Sequence, residues 1–196
     1  MSKWIGRLCI LLGVACLLGA VGLVFYNRWE ADNAAVVSQS MLVEVQEKMG
    51  APDVTLPDRQ PQETPSEMAT VEVGGHRCVG VLSVPVLELE LPVLTDWSYA
   101  KLKKAPCVYY GTCYETDFVI AAHNYKSHFG RLSELQTGDV VVFTDVSGTV
   151  HRYEVVLLET LPANATETMI ASGFDLSLYT CTTGGGSRVT VRCRKV

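Results

Sequence analysis

From residue 71 onward the sequence predicts a mostly-β domain, a barrel or a sandwich of short strands, standing behind an N-terminal transmembrane helix. Three observations predict this. Eight short β-rich runs fall between residues 71 and 196, several of them alternating apolar and polar as half-buried strands do. No long helical period separates them, as expected of an all-β architecture. Residues 8–26 carry no charge at all. A formal net charge of −5 excludes a generally basic nucleic-acid binder, and an apolar share of 48% excludes wholesale disorder.

A helix over residues 8–26 spans roughly 28 Å, the thickness of a bilayer's hydrocarbon core. Lys3 and Arg7 precede it, Arg28, Glu30 and Asp32 follow, and Trp4, Tyr26 and Trp29 stand at the expected interfaces. The cation excess predicts that residues 1–7 are cytoplasmic. No Ala-x-Ala pattern closes the run for cleavage. Gly13 stands where a lipoprotein cysteine at Cys16 would need Leu. An uncleaved anchor is therefore expected. Asp32 and Asn33 are candidate caps for a second helix within residues 27–49, with Val37, Met41, Val45 and Met49 as its apolar stripe and Gly50 as its stop. Residues 50–70 hold Pro52, Pro57, Pro61 and Pro65 and read as an extended linker.

The eight predicted strands cover residues 71–73, 79–84, 87–91, 118–121, 140–143, 153–157, 176–179 and 189–191. Residues 145–148 (Asp-Val-Ser-Gly) read as a hairpin turn. Brief helical interruptions are predicted near 98–104, after Phe129 and near 166–171.

Three strand ends carry chemistry. The run Val-Ile-Ala-Ala-His-Asn (119–124) delivers His123, Leu-Tyr-Thr-Cys (178–181) delivers Cys181, and Ser-Arg-Val-Thr-Val-Arg-Cys (187–193) begins with Arg188. A sheet holds the backbone at such positions while the side chain faces open space. Cys and His suffice for thiol catalysis: a thiolate attacks a carbonyl and an imidazolium protonates the leaving amine. A guanidinium can stabilise the oxyanion. Taken singly each signal is weak, since a lone Cys is more often a buried small residue.

The order of these motifs resembles that of the sortases, the cysteine transpeptidases of Gram-positive cell walls. The resemblance spans roughly residues 78–196. Ile-Ala-Ala-His-Asn (120–124) resembles the strand ending in the family's catalytic His, and Ser-Leu-Tyr-Thr-Cys (177–181) its Thr-Leu-x-Thr-Cys signature. Arg-Val-Thr-Val-Arg (188–192) resembles the closing strand that starts with the catalytic Arg. Gly-Val-Leu-Ser-Val-Pro (80–85) with Leu-Pro-Val (91–93) looks like the first strand pair. The resemblance implies an eight-stranded β-barrel with short helices as the catalytic domain (71–196). It implies Cys181 as nucleophile, His123 as general acid/base and Arg188 as oxyanion-stabilising residue, with Thr180 and Asn124 at the substrate. The reaction implied is cleavage of a Leu-Pro-x-Thr-Gly-like sorting signal through a thioacyl-enzyme. The acyl group passes to an amine of a peptidoglycan precursor or a pilin. No metal or organic cofactor is implied, and no compact carboxylate cluster argues for calcium. The implied location is the cell membrane, single-pass, with the catalytic domain outside.

Ala122 replaces a common Gly, Ser177 replaces the first Thr of the signature, and the link 182–187 is short. Arg188, Arg192 and Arg194 share one strand face; Arg188 lies nearest Cys181 and is preferred over Arg192. Cys193 reads as core, His128 as a surface or capping residue, and His76 and His151 as structural. Too few residues separate 157 from 176 for a class B helix, which points to a housekeeping-like or class D-like member. Cys107 and Cys113 could approach, but the small loop they close and exchange with Cys181 favour two free thiols. The rival from another class is a non-catalytic anchored barrel that binds wall peptides or fibre subunits. An L,D-transpeptidase-like enzyme would need a Ser-His-Gly-Cys context, which Cys181 lacks.

Overall fold

The computed structural model describes residues 2–49 and 67–196, and most of the predicted linker (50–66) lies outside the described residues. The chain divides into two units, residues 1–33 and residues 34–196. Helix α1 (Ser2–Lys48) runs through both without a break. In the first unit its apolar side chains, Leu8, Leu12, Leu18 and Phe25 among them, are exposed. By length and composition the helix can cross a membrane. Asp32 and Asn33 lie inside it and cap nothing. Extending an existing helix adds a hydrogen bond for each residue ordered, whereas restarting one needs a new nucleus.

In the second unit α1 buries Ala34, Ser38, Met41, Leu42 and Val45, while Val37 is exposed. A strict four-residue spacing drifts about 40° per step around a helix of 3.6 residues per turn. Val37 therefore leaves the face that Met41 and Val45 share. That face packs against Val71, Val73, Val81 and Leu94 on the outside of the sheet.

Nine strands follow: β1 (Val71–Val73), β2 (His76–Val84), β3 (Leu89–Leu94), β4 (Cys107–Tyr110), β5 (Phe118–Ala121), β6 (Val140–Asp145), β7 (Val150–Pro162), β8 (Leu176–Cys181) and β9 (Ser187–Lys195). Their order is β1-β2-β3-β4-β5-β8-β9-β7-β6, and β6 returns to pair with β2. Eight strands thus close a barrel, and β1 lies outside the ring, paired only with β2. The predicted number of strands holds, but its membership changes. β4, absent from the sequence expectation, replaces residues 71–73 in the ring. It has four residues, a bulge between Val108 and Tyr110, and a single paired position with β3, so no alternation announces it. β3 starts later than predicted because Pro85 opens a 3-10 turn (Pro85–Leu87), after which Glu88 turns left-handed at φ 53°. The three helical interruptions are present as α2 (Tyr99–Leu102), a 3-10 turn (Leu132–Glu134) and α3 (Thr166–Ile170).

Alternation in β6 and β7 sends Val141, Phe143, Tyr153 and Val155 inward to meet Leu82, Phe118, Ile120, Leu178 and Val191. The hairpin at 145–148 forms as predicted: Asp145 Oδ1 accepts the N–H groups of Ser147 and Thr149, each at 2.9 Å.

Closure depends on Gly80. A Cβ there would sit 2.3 Å from the Thr144 carbonyl oxygen and 2.7 Å from Phe143 Cζ, across the β2–β6 seam. Gly80→Ala is expected to cost about 1–3 kcal/mol through overpacking. A thermal melt should show Tm lowered by several degrees; an unchanged Tm would refute this account of the seam.

Candidate functional site

β8 holds the centre of the site. On one edge it pairs in parallel with β5, with Ala121 opposite Tyr179. The Ala122 N–H continues that ladder to the Tyr179 carbonyl at 3.2 Å. β5 ends at Ala121, and His123 follows two residues later. On the other edge β8 pairs antiparallel with β9, and there Cys181 stands opposite Arg188. Paired residues point to the same side of a sheet, and side chains alternate along each strand. Cys181 and Arg188 therefore share the outer face with Ala121 and Tyr179, while Ile120, Leu178 and Val191 fill the interior.

The short segment after Cys181 turns back as a tight hairpin. The Thr182 N–H donates to the Ser187 carbonyl at 3.0 Å and the Gly185 N–H to Thr182 at 2.8 Å. A short link thus fixes Arg188 opposite Cys181. Arg188 Nη1 donates to the carbonyls of Gly185 and Ser187 at 3.1 Å each. Arg192 is placed quite differently. It is 1% exposed, its Nε donates to Glu159 at 2.8 Å, and its Nη1 to Ser177 Oγ at 2.8 Å. Its Nη2 donates to the Thr168 carbonyl at 2.9 Å. Arg192 binds α3 to the barrel, and its guanidinium is spent on the protein.

Thr180 points the other way from Cys181. It is buried, and its hydroxyl donates to the Ala122 carbonyl at 2.9 Å, tying the end of β5 to β8 one residue before His123. After His123 the loop folds back on itself: the Phe129 N–H reaches the His123 carbonyl at 3.2 Å and the Gly130 N–H reaches Tyr125 at 2.8 Å. Gly130 permits this, since a Cβ would lie 2.5 Å from the Asn124 carbonyl oxygen. The His123 imidazole stacks on the Tyr125 ring, 4.0 Å between centroids and 8° between planes. No local pattern around residue 123 announces that stack. Asn124 lines a hollow on one side of Cys181 with Thr180, Gly130, Ser133 and Val189. A second groove on the other side of Cys181 is floored by Ala121 and Tyr179 and edged by Trp97, Tyr109, Met169 and Arg188. Its aromatic wall is continuous, with Trp97 and Tyr109 centroids 5.6 Å apart and Tyr109 and Tyr179 5.3 Å apart.

All seven cysteines are free thiols, Cys107 and Cys113 included. Of the five from Cys78 onward only Cys181 is not buried. Burial pushes the Cys78 thiol up to about 11 and those of Cys107, Cys113 and Cys193 up to about 12. His76 lies 3.0 Å from Lys104 Nζ on the surface, and His151 pairs with Asp145 inside the barrel. His128 departs from expectation: it is fully buried beside Tyr125, rings 5.6 Å apart. Burial is the main reason its pKa falls to about 4, with His123 adding a repulsive charge.

The sortase-domain family model matches residues 82–196. Among solved structures, sortase C1 from Streptococcus suis is 25% identical with a TM-score of 0.54, covering 62% of this chain and 74% of that one. A sortase D5 transpeptidase of Clostridium perfringens is 17% identical with a TM-score of 0.62, covering 82% and 99%. Sortase A from Corynebacterium diphtheriae is 19% identical with a TM-score of 0.56, covering 90% and 91%. These last two establish likeness of fold alone. No curated protein matches at a significant level. The closed eight-stranded barrel agrees with the family match, which covers more than half of the chain. The chain belongs to the sortase family, whose members are transpeptidases acting on sorting-signal substrates.

Two predictions follow from the arginines and from His128. Arg192→Ala strands Glu159 and empties a buried site, so it should cost about 3–5 kcal/mol of stability. Arg188→Ala should leave Tm within about 2 °C, since its half-buried side chain bonds only carbonyls of its own hairpin; parallel melts of the two variants check the contrast. His128 has a folded pKa below its unfolded one, so the unfolded chain binds the extra proton. Its stabilising effect is complete above about pH 6.5 and is lost as pH falls towards about 4. His128→Phe should flatten the fall of Tm across that window, and an equally steep fall would refute it.

Proposed function

We propose that Cys181 is the nucleophile, His123 the general acid/base and Arg188 the residue that steadies the oxyanion. The observation that carries this is the register: β9 pairs Arg188 opposite Cys181 on β8, and β5, parallel to β8, leads into His123, beside a groove that can take an extended peptide. In the first half-reaction the Cys181 thiolate adds to the carbonyl carbon of the residue before the scissile bond. The Arg188 guanidinium faces the oxygen as it gains charge. As the C–N bond breaks, the imidazolium of His123 gives its proton to the departing amine. A thioester remains on Cys181. In the second, an acceptor amine attacks that thioester, His123 takes the proton, and the thiolate leaves.

Thr180 acts here as a positioning residue, since its hydroxyl is spent on Ala122. Asn124, at the rim of the second hollow, is suited to hydrogen-bond the substrate backbone. The substrate class is a surface protein with a Leu-Pro-x-Thr-Gly-like C-terminal sorting signal. The acceptor is an amine of a peptidoglycan precursor or a pilin. The five-residue α3 between β7 and β8 supports the housekeeping-like or class D-like reading. Residues 1–7 stay cytoplasmic, residues 8–26 span the membrane, residues 27–49 continue outside, and the domain 71–196 works at the outer surface.

Cleavage of a labelled Leu-Pro-x-Thr-Gly peptide, with an added amine as acceptor, tests the assignment. Cys181→Ala and His123→Ala should each remove nearly all turnover while circular dichroism keeps the β signature. Arg188→Ala should lose roughly 10²-fold in kcat. A Cys181→Ala protein that still cleaves would sink the proposal.

A further inference from the structure

A second constellation lies far from Cys181. His151 stands near the start of β7, whereas Arg188 pairs with Leu161 near that strand's end. Ten strand residues separate the two levels, roughly 30 Å. At the His151 end, Cys113, Asp145 and His151 point inward, 1%, 1% and 5% exposed. Their Sγ, carboxylate and ring-nitrogen atoms all lie within 4.8 Å of one another. Cys113 comes from the loop after β4, Asp145 from the end of β6 and His151 from β7, so three segments converge.

We propose that Cys113, Asp145 and His151 form a Zn²⁺ site at the end of the barrel opposite Cys181. The donor set is one thiolate, one carboxylate and one imidazole, the mixture that suits zinc among the common divalent ions. With Zn–S about 2.3 Å and Zn–N and Zn–O about 2.0–2.1 Å, tetrahedral donors stand about 3.3–3.6 Å apart. His151 Nε2 and Asp145 Oδ2 are already 3.2 Å apart, so Cys113 Sγ need close by only about 1 Å. Asp145 is prepared for the role. Its Oδ1 is held by the Ser147 and Thr149 N–H groups, which leaves Oδ2 turned to the other donors. Tyr114 completes the set: its hydroxyl lies 3.3 Å from Asp145 Oδ2 and its ring meets that of His151 edge-on at 5.8 Å. It is the fourth donor, direct or through a water.

Charge balances at the site. A carboxylate and a thiolate neutralise the dication, and neutral imidazole adds nothing. Binding displaces one proton, from Cys113, to solvent. The metal's own field ionises a coordinating thiol. A buried carboxylate needs a partner. The hydrogen-bonded His151–Asp145 pair is the competing reading, and it takes no metal.

The full chain in detergent, stripped of metal under reducing conditions and titrated with Co²⁺ and then Zn²⁺, decides between them. One equivalent of Co²⁺ should give tetrahedral d–d bands with a thiolate charge-transfer band, bleached by Zn²⁺. Cys181→Ala should keep those bands, whereas Cys113→Ser and Cys113→Ala should lose the charge-transfer band. With free Zn²⁺ at about 100 times Kd, wild-type Tm should rise by roughly 5–10 °C. Both Cys113 variants should lose most of that rise, whatever their starting Tm. No Tm change in wild type, or bands that vanish with Cys181 and survive without Cys113, would overturn the proposal. Neither outcome bears on peptide cleavage at Cys181.

Discussion

Everything functional in the domain hangs on the hydrogen-bond ladders along the two edges of β8. One edge is parallel to β5, the other antiparallel to β9. Because paired residues share a side of the sheet, two registers bring residues from three separate segments to one spot. A slip of one residue on either edge would turn Cys181 or its neighbours into the core. The interior guards against it. Ile120, Leu178 and Val191 are all fully buried, so a slip would also expose core side chains to solvent. The geometry of the candidate site and core packing are thus the same constraint.

The two arginines of β9 illustrate how that constraint divides labour. Arg188 and Arg192 lie on the same face, four residues apart, and sequence alone separates them only by nearness to Cys181. The structure separates them by what covers them. α3 lies over Arg192, which answers with bonds to Thr168, Met169, Ser177 and Glu159. Arg188 lies beyond α3, at the edge of the groove, touching only carbonyls of its own hairpin. A buried guanidinium with fixed partners cannot reorganise around a substrate without losing them. A rim guanidinium can.

What sequence made legible follows from how local each signal is. Strands with alternation, such as β6 and β7, and strand ends bearing Cys or His declare themselves within six residues. β4 does not, because a bulge and a single parallel pair erase its period. The burial of His128 is not local either. Its setting comes from a loop that doubles back past Tyr125 through bonds to His123 and Tyr125 carbonyls. The stack of Tyr125 on His123 arises from that same fold-back. Cys113, Asp145 and His151 are likewise invisible as a group until the barrel closes, since each alone reads as an ordinary core or turn residue. The uninterrupted α1 shows the opposite error: Asp32 and Asn33 carry a strong local cap signal, and helix propagation from Ala31 overrides it.

The placement of the thiols adds a last step. A nucleophilic cysteine among four others is exposed to exchange, because a thiolate attacks any disulfide it can reach. The barrel removes this hazard by burial rather than by pairing. With pKa values raised by burial to about 11 to 12, the four buried thiols stay protonated at pH 7. Cys181 alone stands at a strand end that opens to a groove. Selectivity among five chemically identical side chains is therefore a property of where the strands stop.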